Sequence, residues 1–139
     1  MRAKTYLQQI EKLDAIIINK MAEKVLWESL AMSIVPQAGG ERVQSSGSQQ
    51  KMADAVGKYL DIEQDIADRE KERKEIISVI EQISYPDFDI LYKIYVLRKD
   101  LTEVADEHNR SYSWVTTRHG IALAKVQAII DSKGNKKEV

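Results

Sequence analysis

Apolar residues recur at helical spacing along most of this chain and predict two long helices followed by three shorter ones. From about Ala3 to Ser33, Tyr6, Ile10, Leu13, Ile17, Met21 and Val25 form one stripe, broadened by Leu7, Ile16 and Trp27. Pro36 and Gly39-Gly40 end it. From about Lys51 to Ser84 a second stripe carries Met52, Val56, Tyr59, Ile62, Ile66, Ile77, Ile80 and Ile83. The dense charge run from Asp68 to Glu75 reads as its solvated face. Helices of this length need a partner of similar length. An antiparallel, coiled-coil-like hairpin over residues 1–85 is therefore expected, in which residues whose numbers sum to about 84 meet.

Between the two stripes, residues 36–50 are rich in Gly, Ser and Gln and read as a loop. A flexible connector is one reading. A contact loop for a protein partner is the other, since a connector could be far shorter. Arg42 would be its charged anchor, with Gln44 and Ser45 beside it.

The pattern changes after Tyr85-Pro86. Asp87 can cap a helix carrying Phe88, Ile90, Leu91, Ile94 and Tyr95, and Asp100 can cap another in which Leu101, Val104 and Ala105 share a side. His108-Asn109-Arg110 interrupts the stripe, and Asn tolerates the positive φ of a tight turn. Ser111 then caps a last helix with Val115, Ala122, Val126 and Ile129 inward, and Arg118 or His119 filling the missing turn. Trp114 is expected to pack on the neighbouring helix. Residues 86–131 thus read as a helix-turn-helix unit in an all-α protein, and residues 132–139 as a disordered basic tail. Tyr112, Ser113, Thr116 and Thr117 occupy the outer face where a recognition helix meets base edges. Arg110, Ser111, Arg118 and Lys125 complete the expected DNA-binding set.

Composition narrows the function. With 139 residues and a formal net charge of −1, the chain has no bulk attraction to nucleic acid, but the segment from Arg110 onward is basic. There is no cysteine, and the two histidines, His108 and His119, have no closely spaced further ligand, so no metal site or cofactor is expected. No catalytic constellation or phosphate loop is present, which predicts a non-enzyme. The absence of a membrane-length apolar run or a signal-peptide core predicts a cytoplasmic protein with no membrane partner.

The run Leu91-Tyr92-Lys93-Ile94-Tyr95, then Leu101-Thr102-Glu103-Val104-Ala105, then Ser111, Val115, Ala122-Leu123 and Val126 resembles the promoter-binding region four of bacterial sigma factors. Three further segments extend the likeness over nearly the whole chain: Tyr6-Leu7-Gln8-Gln9-Ile10, the loop Gly39 to Ser48, and His119-Gly120. With them the chain resembles the small sigma-like proteins of phages and prophages, related to ArpU-type and RinA-type late transcription regulators. His108-Asn109 stands where that family usually has a glycine, and Ile94-Tyr95 where an Arg-Tyr pair is common. The resemblance implies a transcription regulator acting on double-stranded promoter DNA, with host RNA polymerase as a partner. The stripes add a homodimer through the hairpin as a further expectation. Two other readings stay open: a phage DNA-packaging small subunit, and a coiled-coil adaptor that binds protein and not DNA.

Overall fold

The computed structural model describes residues 1–34 and 46–137, and every regular element among them is helical. Helix α1 spans Ala3–Ile34, α2 Ser46–Glu81, α3 Asp87–Leu91, α4 Leu101–His108 and α5 Tyr112–Lys137. A π-helical turn, Tyr92–Val96, continues α3 and is closed by the Leu97 N–H donating to the Tyr92 carbonyl at 3.1 Å.

Two bounds differ from the sequence reading. α2 begins at Ser46, ahead of Lys51, and α5 runs on through Lys137 where a disordered tail from Ser132 was expected. The sequence places Lys133, Lys136 and Lys137 near the end of α5, where the helix dipole favours positive charge. Gly134 costs only about 1 kcal/mol relative to alanine in such a helix.

The chain forms two compact units, one joining Met1–Leu13 to Glu72–Val139 and the other spanning Asp14–Lys71. The division falls within α1 and α2. In the first unit, Leu7, Ile10, Val79, Ile80, Leu91, Ala122 and Val126 are fully covered in a single core. Burying each large aliphatic side chain there contributes about 1.5–3 kcal/mol. Leu7 lies at its centre because α5 covers the start of α1. The Gln127 side-chain oxygen accepts the Ala3 N–H at 2.7 Å, and its amide donates to the Met1 carbonyl at 3.0 Å. A second cluster of Ile90, Val104, Ala105 and Val115 locks α3 and α4 onto α5, with Trp114 packed against it.

The second unit has a thinner core: Ile17, Ile62 and Ile66, with Trp27 against them. Lys20 pairs with Asp65 and Lys24 with Glu63, each at 3.3 Å, so α1 and α2 run antiparallel here with residue numbers summing to 85 and 87.

Candidate nucleic-acid interface

The end of α4 is built from backbone geometry. The Asp100 carboxylate accepts the Glu103 N–H at 2.8 Å to start the helix, and Asn109 ends it in the left-handed region at φ 55°, ψ 41°. The Asn109 N–H donates to the Asp106 carbonyl at 3.1 Å and the Arg110 N–H to the Ala105 carbonyl at 3.0 Å. This pair of bonds satisfies carbonyls that a helix end otherwise leaves open. Ser111 then accepts the Trp114 N–H at 3.1 Å on its hydroxyl oxygen and starts α5.

Because Val104 and Ala105 hold Val115 inward, the first turns of α5 expose the residues between. Arg110, Ser111, Tyr112, Ser113 and Thr117 are all exposed. Thr116 is half-buried, and its hydroxyl donates to the Ser113 carbonyl at 2.9 Å, leaving its oxygen to accept. The Arg110 guanidinium lies over the Trp114 ring, 5.1 Å from the centroid, which holds the cation beside the exposed set. Six of the eight residues expected to meet DNA are thus brought together.

The other two have a different role. Arg118 donates from Nε to Asp87 Oδ1 at 2.9 Å and from Nη2 to Oδ2 at 2.8 Å, and Lys125 Nζ reaches Oδ2 at 2.6 Å. Asp87 is completely buried and caps nothing: Pro86 precedes α3 in a helical conformation with no side-chain cap bond. A buried carboxylate is costly unless paired, and the bidentate guanidinium and ammonium supply that pairing. Burial pushes the Asp87 carboxyl up, but hydrogen bonds from Lys125 and Arg118, with their charges, outweigh it and hold it below the usual range. Arg118 and Lys125 therefore tie α5 to α3 through Asp87. A signal was present, since Val115, Arg118, Ala122, Lys125 and Ile129 recur at steps of three and four, putting two cations beside the inward stripe.

Neighbouring polar groups also face one another. His108 is sandwiched between Tyr85 and Trp114, with ring centroids 5.9 and 5.6 Å away, and its Nε2 meets Asp89 Oδ2 at 2.9 Å. Lys93 bridges Asp89 at 2.9 Å and Glu107 at 2.8 Å, and Lys99 also reaches Glu107. Hydrogen bonds from Lys93 and Lys99 hold the Glu107 carboxyl down at about 2. His119, the other residue expected to fill the turn, stacks on Tyr95 and meets its hydroxyl at 2.8 Å. Burial pushes Tyr95 up to about 12 and lowers His119, which also feels Lys4.

Arg42, Gln44 and Ser45 lie outside the described residues. Among those described, no three His, Cys, Asp or Glu side chains are grouped to hold a metal ion, and no helix is long and apolar enough to cross a membrane. No protein-family model matches the chain, and neither does any curated protein or solved structure.

Proposed function

We propose that the chain is a sequence-specific DNA-binding transcription regulator of the phage sigma-like kind, in which α4, the Asn109 turn and α5 act as a helix-turn-helix and α5 is the recognition helix. The carrying observation is the exposed run Arg110-Ser111-Tyr112-Ser113 with Thr117 on the first turns of α5, a helix whose inner side is held by the core. In this reading Arg110 meets phosphate, Tyr112 reaches a phosphate or a thymine methyl, and Ser113, Thr116 and Thr117 meet base edges.

With Arg118 and Lys125 committed to Asp87, the contact inventory is small. Each discriminating base contact is worth about 1–3 kcal/mol, whereas selection against a genome takes roughly 4–10 kcal/mol. Host RNA polymerase in the bacterial cytoplasm is the proposed partner that closes the difference, and the loop bearing Arg42, Gln44 and Ser45 is its proposed docking segment. Selection of the full chain on randomised duplexes, alone and with polymerase, tests this. A shared enriched sequence that Tyr112→Ala and Thr117→Ala weaken is the expected result. No enrichment in either arm removes the DNA-binding reading.

One observation favours a second reading, an adaptor that binds protein and not DNA. Glu103 and Asp106 are exposed on α4 beside the turn, and carboxylates there repel a phosphate backbone. Capture of a protein without any DNA preference would select it.

A further inference from the structure

We infer that α1 and α2, over residues 18–32 and 56–60, carry a self-association surface whose occupant is a second copy of this chain, packed helix pair against helix pair as a four-helix bundle. In the second unit ion pairs cross between the helices beside the small core, and large apolar residues stay outside it. Lys20 and Lys24 of α1 take up Asp65 and Glu63 of α2, while Ile18, Met21, Val25 and Met32 remain 62, 46, 61 and 71% exposed. Across from them on α2, Val56 and Leu60 are 40 and 54% exposed. Two shallow grooves, one running from Val56 and Leu60 to Met32 and the other from Val25 to Met32, join these four residues, and Ile18 and Met21 continue the line of Val25 along α1 at helical spacing.

Area and register both point to a second copy. The six residues leave on the order of 600–700 Å² uncovered, which reaches the lower end of what one partner contributes to a stable complex, about 600–1,000 Å². Ile18, Val25 and Met32 recur every seven residues with Met21 between the first two, the spacing by which helices interlock in bundles. A two-fold axis at Val25 sets Ile18 of one copy against Met32 of the other and Val25 against itself. It also separates the two copies of Glu28, the charged residue of the grooves, and places each opposite Ala22. A parallel pairing would set the Glu28 carboxylates face to face.

This association does not depend on whether α5 meets DNA, and sedimentation equilibrium of the full chain tests it directly. The parent is expected to be a dimer at micromolar concentration. Val25→Glu and Met32→Glu should each weaken association about 30-fold or more. Both residues are exposed, so circular dichroism should show unchanged helix content. Leu97→Glu, at an exposed apolar residue of the other unit, should leave the dimer intact. Since the chain has no cysteine, Val25→Cys should also form a covalent dimer on oxidation through the single introduced thiol. A monomeric parent, including one that retains a different protein from lysate, overturns the inference. So do glutamate variants that stay dimeric, a Leu97→Glu variant that dissociates equally, or a Val25→Cys variant that stays uncrosslinked within a dimer.

Discussion

The two units are built from the same two long helices, yet they treat apolar residues in opposite ways. In the first, Leu7 and Ile10 of α1 and Val79 and Ile80 of α2 have no exposure, because α5 lies over them. In the second, the described core is Ile17, Ile62, Ile66 and Trp27, and large side chains of similar type on the same helices face outward. The amphipathic stripe decides which residues can be buried. What decides whether they are is the presence of a third layer. The first unit therefore has the more fully covered core, and the second leaves more large apolar side chains exposed.

Truncation of aliphatic side chains separates the units most strongly. Leu7→Ala or Ile80→Ala should lower the unfolding free energy by about 2–5 kcal/mol, because each opens a cavity in a covered core. Val25→Ala or Leu60→Ala should change it by less than about 0.5 kcal/mol when measured dilute enough to exclude association. Urea titration of the four variants measures the contrast, and equal losses in both pairs would erase it.

A smaller effect is expected at the buried ion cluster. Asp87→Ala leaves Arg118 and Lys125 without their acceptor. Removing one partner of a fully buried pair costs about 3–5 kcal/mol, and here about 2–4 kcal/mol is expected because both cations still reach water. Urea midpoints of Asp87→Ala and parent give the value, and a change below 1 kcal/mol, on the order of a surface pair, would reduce the cluster to a surface interaction.

The same cluster makes the first unit acid-sensitive. The Asp87 carboxyl is held below its ordinary value, so its contribution is complete above the unfolded-state pKa and is lost as pH falls through the folded one. Glu107 adds a loss of the same sign between its ordinary value of 4.5 and about 2. Burial also lowers His119, so stability should begin to fall as pH drops through the ordinary histidine value of 6.5 and fall further through the carboxylate range. Asp87→Asn should flatten part of that fall, and an identical acid limb in Asp87→Asn and parent would show that the carboxylate does not carry it.

Much of this was legible in the residues, for reasons that differ by element. Asp100, Asn109 and Ser111 announce local events, two helix caps and one turn, and local geometry is fully encoded within a few residues. Asp87 looked like another cap because Pro-Asp ahead of an apolar run is a local signature too. Its partners lie 31 and 38 residues away, and only packing on α5 brings them to it. Leu7, which only broadens the α1 stripe, is buried for the same reason, since two paired helices do not need it and a third does. Of the site, the exposed run from Arg110 to Ser113 could be read from the turn and the stripe. Which cations remained available depended on a buried carboxylate that periodicity alone does not reveal.

The smallest prediction isolates the turn that presents α5. Asn109 sits at φ 55°, where a side chain with a Cβ is strained and where glycine is the common helix-ending residue. If the turn needs only the left-handed backbone, Asn109→Gly relieves that strain while giving the unfolded chain more freedom, and the two changes nearly offset. Asn109→Ala keeps the Cβ and loses the short polar side chain that makes this region accessible, so it should cost about 1 kcal/mol. Backbone bonds from Asn109 and Arg110 to Asp106 and Ala105 can form in both variants, but strain opens the turn more often in Asn109→Ala, so amide exchange at the start of α5 should be unchanged in Asn109→Gly and faster in Asn109→Ala. Equal destabilisation by glycine and alanine would mean that the asparagine side chain itself holds the turn. In that case the residue that differs from the sigma-like pattern acts by its own hydrogen bonding and not as a substitute for glycine.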